Sequence, residues 1–429
     1  MLGVQEEGCY DAFSCLLSCG SVISHVCKLR LLKRRLFLGH HSKMMIFMVW
    51  SFGFFAMFAW LLPAIDYLLA HWRPIRLDSL PEQFPETFPK LSVVIAALNE
   101  ESTVEQAMKT LLRLQYPDLE IIAVEDRSTD GTGAILDRLA LTDERLRVVH
   151  ITELPPGWLG KNHALHIGGQ QATGDYILFT DADVHFKTNA MKRAVAYMLA
   201  NRLDHLTLFP DIDLEGFWER LSVGFFGALF SMHTRPWRVA DPRSGAYVGV
   251  GAFNLVRTEP YRRMGGHASL PMDVTDDMKL GKRMKMNGGS SACMPSGALV
   301  RVRWIVGLRG LVEGLTKNMF AGFGFQAPYA LAAVLAIFLM SMWPFIGLFY
   351  GPLATRLMCL TAILLMMATA DSASPAMVEL TPIYGLCFPI AGVIMQYIIL
   401  RSMFFTFRQG GIVWRGTLYP LRELRKGVV

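Results

Sequence analysis

Charge is scarce in this chain: Asp, Glu, Lys and Arg make up 18% of its 429 residues against 52% hydrophobic residues. With a mean hydropathy of +0.32, that is too little polar surface for an ordinary soluble protein of this length. Cysteine is scarce beyond the N-terminus. Cys9, Cys15, Cys19 and Cys27 crowd the first 27 residues, and Cys293, Cys359 and Cys387 are scattered through the rest. The N-terminal spacings match no zinc pair. Also missing is a basic stripe interleaved with aromatics, which single-strand nucleic-acid binding would need. The net charge of +6 is modest, and its basic residues sit beside apolar segments. Nucleic acid is therefore excluded as a partner, and the charge reads as membrane-facing. No small-residue cleavage site follows the first apolar run, so that run should remain as an anchor.

Long apolar runs, by contrast, are present. Uncharged stretches span 44–65, 327–355, 357–370 and 380–400, and three of the four reach the roughly 20 residues of a spanning helix. They enclose a stretch of globular composition. The expected organisation is an N-terminal extension (1–43), a transmembrane anchor (44–70), a linker (71–90), a catalytic-sized domain (91–305), an interfacial amphipathic helix (306–326), a transmembrane bundle (327–400) and a basic tail (401–429). Translation from Met44 or Met45 would make the extension an upstream artefact.

The linker carries four prolines, at 74, 81, 85 and 89. Beyond it the pattern alternates: "LSVVIAAL", "LEIIAVE", "LRVVHI" and "YILFT" read as strands, with "EESTVEQAMKTLLRL", "GAILDRLAL" and "HALHIGGQQA" as helices between them. This predicts an α/β domain built on a mostly parallel, Rossmann-like sheet. Ligands in such sheets bind beyond the carboxyl ends of the strands. The residues there are Asn99, Glu100, Asp126, Asp181 and Asp183, four of them acids. Clustered carboxylates repel one another unless a cation sits among them, which suggests Mg²⁺ or Mn²⁺. Alone, "DAD" (181–183) fits a solvated turn as well.

The series "VVIAALNE" (93–100), "VEDRSTDGT" (124–132), "GK" (160–161), "FTDADV" (179–184) and "TDDMKLG" (275–281) resembles the family 2 glycosyltransferases of GT-A fold. The resemblance implies that Asp126 hydrogen-bonds the uracil of a UDP-sugar, with Glu125 standing where Asp is commoner, and that Ala97 and Glu100 border the donor nucleotide. It implies that Asp183 holds the divalent metal, with Asp181 on the ribose or a metal-bound water. It also implies that Asp277 is the base for an acceptor hydroxyl, beside an acidic neighbour, Asp276. Lys161 suits donor phosphate or a solvated position equally. The histidines His163 and His166 are not expected to be ligands. The glycines of "YVGVGAFNLVRTEPYRRMGGH" suggest a strand whose backbone closely approaches substrate.

Where processive synthases and ceramide glucosyltransferases of the family carry Gln/Arg-x-x-Arg-Trp, this chain has "VRVRW" (300–304). That departure favours one transfer over polymer synthesis. "PPGWLGK" and "WRGTLY" (414–419) resemble the bacterial members that glycosylate carotenoid, hopanoid or other lipids. The expectation is an inverting, metal-dependent enzyme moving one sugar, a hexose, from a UDP donor to a membrane lipid. The alternatives are a processive polysaccharide synthase and a catalytically silent scaffold or lipid-binding protein. UDP-sugars are cytosolic, so the domain of this multi-pass cell-membrane protein should face the cytosol, and the arginine-rich tail agrees. An even number of crossings then requires one short segment, expected to be 357–370, whose 14 residues reach about 21 Å as helix.

Overall fold

The computed structural model describes residues 44–70, 75–372 and 380–426; the expectations for 1–43 lie outside them. A first helix, α1 (Met44–Leu69), is followed by β1 (Leu91–Ala97), α2 (Val104–Leu112), β2 (Leu119–Asp126), α3 (Thr132–Ala140), β3 (Leu146–Ile151), α4 (Gly160–Gln171) and β4 (Tyr176–Asp181). Next come β5 (Val184–Phe186), α5 (Ala190–Asn201), β6 (His205–Phe209), β7 (Asp211–Ile212), α6 (Gly216–Thr234), β8 (Asn254–Arg257) and α7 (Thr258–Arg263). The domain closes with α8 (Asp276–Met286), β9 (Ser291–Pro295), β10 (Val300–Val302) and α9 (Gly307–Gly322).

Seven strands form one sheet in the order β3-β2-β1-β4-β8-β6-β9. The pairs β1–β2, β2–β3, β1–β4 and β6–β9 are parallel, and β8 runs antiparallel to both its neighbours. The central strands are apolar on both faces because both are covered, as parallel sheets require. Val93, Ile95 and Ile121 face one core with α2, α3 and α5, while Val94, Ile122 and Val124 face another with α4. Every strand and helix expected between Leu91 and Asp181 is found.

Among the described residues four helices are long and apolar enough to cross a membrane: Met44–Leu69, Ala327–Gly347, Leu353–Ala370 and Phe388–Gln409. The third corrects an expectation. The uncharged 14-residue run lies within a helix of 20 residues, Leu353–Ser372, about 30 Å long. Arg356 joins its first turn with Nε 3.2 Å from the Gly351 carbonyl, so a charge that ended the run did not end the helix. The last helix continues through Arg401 and Arg408, which had been expected in the tail. Its start packs on α6 through Phe388 and Phe225 (5.0 Å between ring centres), and further along Ser402 Oγ accepts the Phe320 N–H of α9 at 3.0 Å. Both ends therefore meet helices of the catalytic domain.

After Gly410 the chain turns into a hairpin, β11 (Gly411–Trp414) and β12 (Thr417–Pro420). Its Ile412 and Tyr419 share a core with α6, α9, the apolar helices and Leu159. The helix expected over 306–326 forms as α9, with Arg309 and Glu313 paired at 2.8 Å on its exposed side. Lys317, one turn on from Glu313, turns inward under the Trp414 ring at 4.7 Å.

Candidate active site

The strand order reverses between β1 and β4, which opens a crevice at their carboxyl ends. Register pairs Ala96 with Asp181 and Ala97 with Glu125, so β1, β2 and β4 end level with one another. Ala97 itself is buried at 1% exposure. The loops that follow are laced together. Asn99 Oδ1 accepts the Thr129 N–H at 2.8 Å, and the Glu100 N–H donates to Thr132 Oγ1 at 2.8 Å. Glu125 accepts the Ser128 N–H and meets His150 Nδ1 at 3.1 Å. Its carboxylate therefore serves the loop, while Asp126 faces the crevice. There Asp126, 1% exposed, is clasped by its own neighbour: Arg127 donates Nε and one terminal nitrogen at 2.7 and 3.0 Å.

Lys161, in the first turn of α4, is the centre of the site. Its Nζ lies 2.8 Å from Asp181 Oδ1 and 3.6 Å from Asp276 Oδ2. Burial alone would push the ammonium pKa down, but Asp181, Asp276 and Asp277 outweigh it and hold it charged. Burial pushes Asp181 up and Lys161 more than reverses this, leaving that carboxyl below its ordinary range. Among the described residues Asp183 has no such ion-pair partner. Burial, with Asp181 and Glu100 nearby, raises it to about 6. The intervening Ala182 turns into the core.

Asp276 and Asp277 open α8, where the helix dipole favours acids. Asp277 is held by backbone: Oδ2 accepts the Gly251 N–H at 2.9 Å and Oδ1 the Met278 N–H at 2.7 Å. Burial raises both carboxyls, Asp276 to about 7. The glycines 249 and 251 explain the close packing. A Cβ on Gly249 would lie 1.8 Å from the Asp277 carbonyl oxygen, and one on Gly251 would lie 2.5 Å from Asp181 Oδ2. The expected strand there is irregular backbone, with β8 starting only at Asn254, and the close approach is to Asp277 and Asp181. His163 and His166 pack against Trp158, at 5.5 and 4.9 Å between ring centres.

The structure thus brings Asp181, Asp276 and Lys161 into contact, with Asp277, Asp183 and Glu100 alongside and Asp126 one helix start away. Sequence reasoning missed Arg127, Lys317, Arg415 and Tyr419. The Tyr419 hydroxyl accepts the Gly160 N–H at 3.1 Å, and Arg415 pairs with Glu100. "WRGTLY" marked that segment, but no local pattern says which loop it touches. Among the described residues no group of three or more His, Cys, Asp or Glu side chains could hold a metal. The repelled carboxylate of Asp183 fits an ion that takes one or two protein ligands and fills its shell with phosphate and water.

Residues 92–265 match the model of glycosyl transferase family 2. Two curated relatives, 4,4'-diaponeurosporenoate glycosyltransferases of Staphylococcus aureus strains MRSA252 and USA300, are 25% identical to this chain, covering 78% of it and 89% of their own length. A mannosyltransferase from Pyrobaculum calidifontis, solved with GDP-Man and Mn²⁺, aligns with TM-score 0.50 at 19% identity, covering 81% of this chain and 99% of that one. That likeness is one of fold. With the acids gathered where β1 and β4 end, residues 92–265 form a glycosyl transferase family 2 domain of GT-A fold, in a chain similar to 4,4'-diaponeurosporenoate glycosyltransferases.

Proposed function

We propose that the protein moves one sugar from a UDP-sugar to a hydroxyl of a membrane lipid, with inversion, at the cytosolic leaflet of the cell membrane. The observation that carries this reading is the acid cluster around Lys161, set on the same side of the apolar helices as α6 and α9. Exposed Phe217, Trp218, Trp304 and Leu308 on that side suit a membrane interface where a lipid hydroxyl is presented.

Ala97, Glu100 and Asp126 border the nucleotide, with Asp126 exchanging Arg127 for the base. Asp183, with Asp181, would hold Mg²⁺ or Mn²⁺, which when bound supplies positive charge beside the leaving diphosphate. Lys161 adds a fixed cation between Asp181 and the acids of α8. Asp277, oriented by two backbone N–H groups, takes the proton of the acceptor hydroxyl as it attacks the anomeric carbon from the face opposite UDP. A second reading gives that role to Asp276. Its carboxyl is raised to about 7, near the pH at which a base works best.

GDP-Man is bound in the Pyrobaculum fold neighbour and 4,4'-diaponeurosporenoate is the compound named for the staphylococcal relatives, so donor and acceptor must both be tested. Purified protein is offered UDP- and GDP-sugars with membrane lipid extract, and the products are weighed by mass spectrometry. Singly glycosylated lipid from a UDP donor supports the reading. Long polymer, a GDP donor, or no transfer with no metal-dependent nucleotide binding would each sink part of it. Asp183→Ala is expected to abolish the Mn²⁺-dependent part of UDP binding.

A further inference from the structure

Next to the acids lie two buried side chains outside the proposed chemistry, His267 at 1% exposure and Tyr261 at 4%. His267 sits in the turn after α7, and its ring lines a cavity of about 10 Å³ together with Lys161, Asp181, Asn254, Asp276 and Asp277. That is the room of one water, among enough polar groups to hold it.

Packing fixes the imidazole. Phe179 meets both rings, with centres 4.5 Å from His267 and 5.1 Å from Tyr261. The Tyr261 hydroxyl is seated between two glycines: a Cβ on Gly169 would lie 2.7 Å from it, and one on Gly266 would lie 2.9 Å from the ring carbon that bears it. The hydroxyl oxygen accepts the His267 N–H at 3.2 Å and lies 2.8 Å from His267 Nδ1. These contacts select the tautomer. With the ring hydrogen on Nε2, the hydroxyl accepts once and donates once to Nδ1, and both buried groups are satisfied. With that hydrogen on Nδ1, the hydroxyl would accept twice, and its own hydrogen would have no acceptor among the described residues. Burial, with Lys161 and His166 nearby, pushes the ring's pKa down to about 3. The imidazole is therefore neutral, and Nε2–H is the donor it offers the cavity.

Asp276 is the acid in that cavity most in need of a donor. Both Asp277 oxygens accept backbone N–H groups, and Asp181 accepts from Lys161 at 2.8 Å. Asp276 is 4% exposed, and its contact with Lys161, at 3.6 Å, is longer than a hydrogen bond. A buried carboxylate and a buried N–H thus line the same one-water space.

We propose that His267 is a positioning residue for sugar transfer: fixed in its Nε2–H form by Tyr261, it donates to a water seated in this cavity, and that water donates to the Asp276 carboxylate and keeps it aimed beside Asp277. The proposal rests on the reading of the α8 acids as the groups that serve the acceptor hydroxyl.

Full-length protein in detergent micelles with Mn²⁺ is assayed for sugar transfer from a UDP-sugar to membrane lipid extract, and for UDP affinity. His267→Phe keeps a ring in place and removes the donor. Its kcat should fall about tenfold to a hundredfold, with UDP affinity within about twofold of wild type. Glutamine can set an amide N–H where Nε2 stood, and asparagine only where Nδ1 stood. His267→Gln should therefore recover much of the loss and His267→Asn should not. Tyr261→Phe, which frees the tautomer, should lower kcat less than His267→Phe does. A kcat in His267→Phe within about twofold of wild type, or equal rates in the Gln and Asn variants, overturns the proposal and leaves the transfer reading standing. Wild-type protein that transfers no sugar overturns the transfer reading, and the proposal with it.

Discussion

Asp276 and Asp277 are adjacent in sequence, yet the fold gives them different surroundings. Backbone N–H groups grip both oxygens of Asp277, whereas Asp276 faces the Lys161 ammonium at 3.6 Å. Asp277→Asn should lower transfer by about 10²- to 10⁴-fold with UDP affinity unchanged. Full activity in that variant would move the base to Asp276. A second residue-scale prediction concerns His205, fully buried with Nε2 3.0 Å from Asn254 Oδ1. Burial pushes its pKa down to about 4. The unfolded chain takes up this proton near pH 6.5 and the folded protein only near 4. Its contribution to stability is therefore full above about pH 6.5 and is lost as pH falls to about 4. The drop in melting temperature between pH 7.5 and 5 should be smaller in His205→Gln than in the wild type.

At the scale of elements, Glu219 of α6 is a junction. Buried at 5% exposure, it accepts from Arg303 at 2.8 and 3.0 Å and from the Gly307 N–H at 2.6 Å, tying α6 to the end of β10 and the start of α9. Glu219→Ala leaves Arg303 without its main counter-charge and should cost about 3–5 kcal/mol, measured by chemical denaturation. Gly249→Ala should inactivate the enzyme and lower its melting temperature, because its Cβ would collide with the Asp277 carbonyl. A variant with wild-type activity would show that the loop has room to move. The elements from β1 to β4 were legible because their apolar runs and helical periods are local. The irregular segment before β8 was not, because its glycines answer to α8, a contact distant in sequence. Helix α6 leaves no one-sided apolar period in the sequence: it is apolar on several sides, since the domain, α9 and the last helix all cover it.

For the whole molecule, the hairpin contacts to Gly160 and Glu100 hold residues 411–420 against the α/β domain, so the expected topology has both on one face of the membrane. A C-terminal tag and a cysteine introduced on the exposed surface of the domain should be labelled from the same side of sealed vesicles. Labelling from opposite sides would contradict the topology. Among the described residues three helices after the domain are long enough to cross, which is against the even number expected there, and the contacts of the last helix with α6 and α9 are what motivate the prediction.

The sequence by itself determined where the apolar helices lie, though not the length of the third, the sheet from β1 to β4, and the strand-end positions of Asp126, Asp181 and Asp183, because strand alternation and apolar run length act between near neighbours. Only the tertiary structure decided what those acids face. Lys161 lies 20 residues before Asp181 and 115 before Asp276, and Arg415 lies 315 after Glu100. Such pairs carry no period or spacing, and Coulombic attraction selects them only once packing has brought the loops together.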